Sequence, residues 1–302
     1  MDAIPVRNEL SPYEWIQLRT WRSGLLVLSG LRSAGAPLEM RGLGLTEHAY
    51  GPHPLEQLDR IARPALAAPA GVLVYVHGGG WVSGSRKLVR CDVAAWAQRG
   101  HVVFNLDYPL APEAPFPRGL SAVVRALAWI REREPGAESV AIAGDSAGGN
   151  LATMAAAVLE DKALLEEIDP SLADLELPTI SKVVSIYGVM DRFSWLDHGF
   201  PAAHMFMRSY GGAAAFEREA RRANAFTPLD LPITRLPPIF LAGAGKDPLC
   251  PSSRLAHEAF RAKGIDARLE LYPTEGHGFF NMPYRKACWR LKRDVAAFLA
   301  GA

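Results

Sequence analysis

The chain has 302 residues, 49% of them apolar, and a formal net charge of +1. This is the composition of an ordinary soluble globular protein built as one large domain. No basic stripe is available to neutralise phosphates, which argues against nucleic acid as a partner.

Residues 1–45 carry helical periodicity in Tyr13, Trp15, Ile16, Leu18 and Trp21. Met1-Asp2-Ala3-Ile4-Pro5 lacks the basic and apolar regions of a secretory leader. The apolar run Leu25-Leu26-Val27-Leu28, flanked by Arg22 and Arg32, is far too short to span a bilayer. From residue 70 onward, β-branched runs alternate with helical patterns. Strands are predicted at 72–76, 102–106, 140–143, 183–187, 238–242 and 267–272. Helices are predicted at 88–99, 120–132, 151–160, 253–263 and 284–299. Such alternation implies an α/β fold, with a mostly parallel central sheet covered by helices on both faces. Ligands of such sheets bind at the carboxyl ends of the strands.

One segment breaks the alternation. Residues 190–235 lie between two core strands and carry Phe193, Trp195, Phe200, Met205, Phe206, Met207 and Tyr210. A connection that long in a compact domain is usually a lid. Most of these side chains are expected to pack internally and one or two to reach a pocket. The mixed-sign cluster Glu217-Arg218-Glu219-Ala220-Arg221-Arg222 reads as a solvated helix face. Cys91, Cys250 and Cys288 are odd in number and form no CxxC pair, as in a reduced, cytoplasmic protein.

The chemistry is carried by loops after strands. The run Gly71-Val72-Leu73-Val74-Tyr75-Val76 feeds into His77-Gly78-Gly79-Gly80-Trp81, where three glycines let successive N–H groups turn into a cavity. No second histidine or carboxylate stands at ligand spacing from His77, so it is expected to hold this loop in shape by hydrogen bonding. Val140-Ala141-Ile142-Ala143 feeds into Gly144-Asp145-Ser146-Ala147-Gly148-Gly149-Asn150, the strand–turn–helix context of a nucleophile elbow. Ser146 is the one serine in a Gly-x-Ser-x-Gly setting. The elbow is expected to hold its hydroxyl up into solvent at a helix N-terminus, where developing negative charge is favoured.

A serine nucleophile needs a base, and the base needs an orienting acid. Of eight histidines, four follow Ser146. His198 and His204 fall in the lid and His257 within a helix. His277 sits in Glu275-Gly276-His277-Gly278 after the last strand and is the expected base. Asp247 and Asp191 each end a strand and are the two candidates for the acid. Gly243-Ala244-Gly245-Lys246 is not a phosphate loop, because Asp247 stands where Ser or Thr is required.

In these motifs the chain resembles the hormone-sensitive-lipase-like group of α/β-hydrolases, the bacterial family IV esterases. The resemblance includes Asp107-Tyr108-Pro109-Leu110-Ala111-Pro112-Glu113, then Pro115-Phe116-Pro117, Asp247-Pro248-Leu249 and Gly276-His277-Gly278-Phe279. It implies an α/β-hydrolase fold over residues 46–302, with a helical cap formed by residues 1–45 and an insertion at about 190–235. It also decides for Asp247 as the acid. By that resemblance Ser146, Asp247 and His277 form the catalytic triad, and Gly78, Gly79, Gly80 and Ala147 form the oxyanion hole. Gly79, Gly80 and Ala147 supply the N–H donors, and Gly78 shapes the loop. The implied activity is hydrolysis of short- to medium-chain carboxylic esters without metal or organic cofactor. The expected partner is a small ester substrate, and a homodimer is allowed. Lactonase, amidase and deacetylase chemistry use the same triad, and a non-catalytic receptor uses the same fold. The sequence departs from the family after Asp247, where many relatives carry an acidic residue and this chain has Cys250-Pro251. A packed, inert thiol is expected there.

Overall fold

A computed structural model describes residues 10–34, 39–64, 68–217 and 225–301. The N-terminal run Met1 to Pro5 and most of the Glu217 to Arg222 cluster lie outside the described residues. Of the run Leu25 to Leu28, only the side chain of Val27 is described.

The chain opens with helix α1 (Pro12–Ala34), followed by strands β1 (Gly44–Ala49), β2 (Gln57–Ala62) and β3 (Gly71–Val76). Helix α2 (Arg86–Ala97), β4 (His101–Leu106), α3 (Arg118–Arg133) and β5 (Ser139–Asp145) come next. They precede α4 (Ala147–Leu159), α5 (Lys162–Ile168) and β6 (Thr179–Ile186). The insertion holds the short α6 (Ser194–Asp197) and α7 (Ala203–Gly211), and the core resumes with β7 (Ile239–Ala244), α8 (Cys250–Ala262), β8 (Ala267–Tyr272) and α9 (Lys286–Ala300). The strands form one eight-stranded sheet in the order β1-β2-β4-β3-β5-β6-β7-β8. From β4 to β8 every pairing is parallel, whereas β1 and β2 add an antiparallel edge.

Alternate residues of a strand point to opposite faces, and the central strands are apolar on both. Val72, Val74 and Val76 of β3 face a core shared with α3, α4 and α8. Leu73 and Tyr75 face a second core under α2 and α9. Among the described residues, no helix is long and apolar enough to cross a membrane.

The antiparallel edge is absent from the sequence expectation. β2 breaks its apolar pattern with Asp59 and Arg60, yet Asp59 is fully buried. It accepts from Arg86 Nε (2.9 Å) and from Arg90 Nη2 (2.8 Å), both on α2, and from Asn105 Nδ2 (3.2 Å) on β4. Arg86 also pairs with Glu47 of β1 and with Asp107. The charges are buried because they neutralise one another across four elements. An Asp59→Ala substitution would leave two guanidinium groups short of a buried partner. We expect it to cost about 3–5 kcal/mol of unfolding free energy, read from urea denaturation.

Candidate active site

β5 ends at Asp145 and α4 starts at Ala147, so Ser146 alone makes the turn between them. Its backbone lies at φ 54°, ψ −121°, a sparsely populated conformation for a residue with a Cβ. Two close approaches impose it. A Cβ on Gly144 would stand 2.2 Å from the Gly148 carbonyl oxygen, and one on Gly148 would stand 2.1 Å from that of Val76. Ser146 N–H donates to the Ile186 carbonyl at 2.8 Å, which pins the turn to β6.

The hydroxyl is not held up into bulk solvent. Ser146 is 7% exposed and lies on the floor of a cavity of about 390 Å³. His277 Nε2 stands 3.1 Å from Ser146 Oγ, and His277 Nδ1 stands 2.6 Å from Asp247 Oδ2. A carboxylate at Nδ1 places the imidazole proton there and leaves Nε2 to accept from the hydroxyl. Asp247 is buried and its second oxygen accepts from Leu249 N–H at 2.9 Å, so the carboxylate cannot swing away. The edge of Phe200 (5.0 Å) and the ring of Tyr187 (4.8 Å) pack against the imidazole. Tyr187 leaves β6 with φ 39°, a strained backbone beside His277.

The other candidates are occupied elsewhere. Asp191 accepts from Ser194 N–H (2.7 Å) and from Ser252 Oγ (2.6 Å), tying α6 to α8. His198 Nδ1 donates to the Ser194 carbonyl at 2.6 Å. His204 stacks on Phe216, and His257 is a half-buried residue of α8. Cys250 is buried at the start of α8, with a disulfide to neither Cys91 nor Cys288.

The glycine loop faces Ser146. Gly79, Gly80 and Trp81 all take positive φ, at 122°, 62° and 62°. The Gly79 carbonyl accepts from Val82 N–H, Ser83 N–H and Ser83 Oγ, at 3.3, 3.2 and 2.7 Å. Among the described residues, neither Gly79 nor Gly80 donates its own N–H within the loop. Ala147 opens α4, so its N–H has no carbonyl in a preceding helical turn. Gly78 differs, because its N–H is given to Asp145 Oδ1 at 3.0 Å. Tyr75 Oη donates to the same oxygen at 2.7 Å. Burial pushes the Asp145 carboxyl above the usual range, against the pull of these two bonds. His77 Nδ1 donates to the Gly78 carbonyl at 2.7 Å, and its ring stacks on Tyr108 at 4.5 Å. Tyr75 is a bracing residue that no motif marks, and Tyr108, whose hydroxyl donates to the His77 carbonyl at 3.0 Å, is one that stands in the Asp107 to Glu113 motif.

The cavity roof is aromatic. Trp195, Phe200 and Phe206 of the insertion reach it, one more than the upper expectation, together with Trp21 of α1. Trp21 meets Phe206 edge-on at 5.1 Å, so α1 and the insertion line one space. Met205, Met207 and Tyr210 are buried in the packing behind. Among the described residues, no group of three His, Cys, Asp or Glu side chains is placed to hold a metal ion.

Comparison with known proteins places this arrangement among relatives. The family model described as alpha/beta hydrolase fold matches residues 73–281. Carboxylesterase NlhH of Mycobacterium tuberculosis is 30% identical over 234 residues, covering 72% of this chain and 69% of that protein. Esterase LipC of the same organism is 30% identical over 243 residues, covering 76% of this chain and 58% of LipC. The crystal structure of esterase B from Lactobacillus rhamnosis superposes with a TM-score of 0.80 at 17% identity, covering 96% of this chain and 95% of that one.

The loop supplies a direct test. An added Cβ at Gly79, already at φ 122°, would stand 2.2 Å from the Ser83 carbonyl oxygen. Gly79→Ala must therefore displace the loop amides while leaving Ser146 and His277 in place. Loss of one such donor costs about 10²–10³ in kcat, and we expect a fall of that order with unchanged far-ultraviolet circular dichroism.

Proposed function

Because the chain belongs to the hormone-sensitive-lipase-like group of the α/β-hydrolase family, we propose that Ser146, His277 and Asp247 are the catalytic residues of its ester hydrolysis. The protein is a serine carboxylic-ester hydrolase. The observation that carries the assignment is the unbroken hydrogen-bonded line from Ser146 Oγ through His277 to Asp247. Gly79 and Gly80 line the same cavity as Ser146 and His277.

In this reading His277 Nε2 takes the hydroxyl proton as Ser146 Oγ bonds to the ester carbonyl carbon. The carbonyl oxygen becomes an oxyanion and accepts from the Gly79, Gly80 and Ala147 N–H groups, which are fixed before reaction begins. Asp247 stabilises the imidazolium through Nδ1–H without itself taking the proton. His277 then returns its proton to the departing alcohol oxygen, and the C–O bond breaks to leave an acyl-Ser146. Water, deprotonated by the same Nε2, attacks that acyl group and releases the carboxylic acid. Gly78 serves as the hinge of the loop, since its N–H is committed to Asp145. All groups in this sequence are supplied by the chain, and no cofactor enters a step. Residues 1–45 and about 190–235 form the cap in this reading, although β1 already joins the sheet at Gly44. The absence of disulfides among Cys91, Cys250 and Cys288 supports a cytoplasmic location.

The triad is tested with p-nitrophenyl acetate. Ser146→Ala is expected to abolish turnover apart from a residue of about 10³–10⁴-fold over water, with little change in Tm. Asp247→Asn favours the wrong imidazole tautomer and is expected to lower kcat by about 10⁴. Asp191→Asn should keep most of the activity, since Asp191 braces α6 and α8. The reverse order would move the acid to the earlier strand.

Chain length is the second test. Each methylene that enters the cavity contributes about 0.8 kcal/mol, and Trp195, Phe200, Phe206 and Trp21 bound the space. On p-nitrophenyl esters kcat/KM is expected to peak at roughly C4 to C8. A rate that climbs to about C16, with activation at an oil–water interface, would assign the cap to a lipase instead.

A further inference from the structure

The turn from Gly79 to Ser83 behaves as one body. The Gly79 carbonyl, which shares a peptide plane with the Gly80 N–H, accepts from Val82 N–H, Ser83 N–H and Ser83 Oγ. The Gly80 N–H therefore moves only as the whole turn moves. Trp81 takes φ 62° inside this turn, a conformation that a residue with a Cβ keeps only where its surroundings enforce it. The surroundings that hold Trp81 also set how the turn is seated against Ser146.

Those surroundings include α7. Phe206 and Tyr210 stand four residues apart on it and so share one helix face. Phe206 lies so near Gly80 that a Cβ there would stand 2.6 Å from its ring. Tyr210 stacks on Trp81 with ring centroids 4.6 Å apart and planes 1° from parallel. Two rings of one helix face thus meet two consecutive residues of the turn. Tyr210 is itself anchored. Its carbonyl accepts from Phe116 N–H at 2.8 Å, and its ring meets Phe116 and Phe226 edge-on at 5.8 and 5.7 Å. Among the described residues its buried hydroxyl has no hydrogen-bond partner. Tyr210 does not line the cavity that holds Ser146. What it presents to the turn is a flat face, with no polar bond and no contact to substrate.

We propose that Tyr210 is a positioning residue for the oxyanion hole. Through its stack on Trp81 it seats the turn so that the Gly80 N–H points at the oxyanion. The proposal rests on the ester-hydrolase reading above and gives α7 a part in transition-state stabilisation. The oxyanion exists only once Ser146 Oγ has bonded to the carbonyl carbon. A badly seated turn therefore lowers kcat and kcat/KM together and leaves KM in place.

The test compares Tyr210→Phe, which keeps the ring, with Tyr210→Leu, which removes the flat face. Turnover of p-nitrophenyl butyrate is expressed per active site, counted by phosphonate labelling, so that a misfolded fraction does not enter kcat. Inhibition by an alkyl trifluoromethyl ketone is measured beside it, because addition of Ser146 Oγ to that ketone turns its oxygen into an oxyanion. We expect Tyr210→Phe to match wild type and Tyr210→Leu to lower kcat about tenfold, part of the loss for a whole donor, with KM unchanged. The inhibition constant of the ketone should rise by the same factor as kcat falls. Tyr210→Met, unbranched and adaptable in packing, replaces Tyr210→Leu if the latter does not fold. Full kcat in the variant lacking the ring, an equal loss in Tyr210→Phe, or a loss of kcat with unchanged ketone affinity would overturn the positioning role. Failure of wild-type protein to turn over p-nitrophenyl acetate would instead overturn the ester-hydrolase reading.

Discussion

Three backbone segments cross at contact distance at the end of the sheet, and the rest of the active site depends on that crossing. The end of β3, the end of β5 and the first turn of α4 meet where Gly148 faces the Val76 carbonyl and Gly144 faces that of Gly148. Neither glycine has room for a Cβ. With both neighbours fixed, Ser146 has to adopt positive φ, and its side chain has to leave the turn on the cavity side. The strain of about 1–3 kcal/mol that such a residue carries is held in place by β6 through the Ser146 N–H bond to Ile186. The same crossing sets His77 and Gly78 against Asp145. The strained Ser146 turn and the glycine loop are thus two products of one packing event.

Electrostatics then fixes the loop. Asp145 is fully enclosed, and its carboxylate is tolerable there because Tyr75 Oη and Gly78 N–H both donate to one oxygen. Removing either donor would leave a buried charge short of a partner, which costs more than the bond itself contributes. Behind the loop, His77 Nε2 lies 3.6 Å from Asp107, and Asp107, Arg86, Asp59 and Arg90 continue as a charged network reaching β2 and, through Glu47, β1. The antiparallel edge of the sheet, far from the reacting atoms in sequence, therefore supports the residues that support the glycine loop. Trp81 anchors the loop's other end. It stacks on Tyr210 of α7 at 4.6 Å, and its indole N–H reaches Asn150 of α4 at 3.3 Å.

The parallel strands are legible in the sequence because each is buried on both faces and reads as an apolar run. β8 is found at its predicted bounds, 267–272, and β3 and β4 are each found one residue longer. β2 is illegible because its burial depends on Arg86 and Arg90, charges from a helix about thirty residues away. α4 starts at Ala147 and not at 151, since Ala147, Gly148 and Gly149 carry no apolar periodicity. α8 starts at Cys250, ahead of the predicted 253, because Pro251 suits a first helical turn. The site residues are more legible than the fold around them. Ser146, His277 and Asp247 stand in loops whose glycine spacing or position after a strand is visible one loop at a time. Tyr75 and Tyr187 are not legible, because nothing local marks them and their partners are remote, whereas Asn150 closes the elbow motif but its role is set by remote partners. Asn150 ties α4 to the cap by donating to the Val189 and Phe226 carbonyls, both at 2.9 Å.

The aromatic roof of the cavity and the groups beneath it are held in different ways. Ser146, His277, Asp247 and the loop amides, which carry the chemistry in the proposed reading, are held by backbone geometry and by buried hydrogen bonds, which tolerate little change. Trp21, Phe200 and Phe206 are held by an edge-on ring contact at 5.1 Å and a tilted one at 6.3 Å, which have broad minima and constrain neighbouring residues weakly. Exchanging one of these rings alters the volume above Ser146 without touching the line from Ser146 to Asp247. Phe200 is the exception. Its ring meets that of His277 edge to face at 5.0 Å, so a smaller residue there would enlarge the cavity and loosen His277 together. In the proposed reading, substrate range is therefore free to vary at Trp21 and Phe206, whereas at Phe200 it is coupled to the rate of proton transfer.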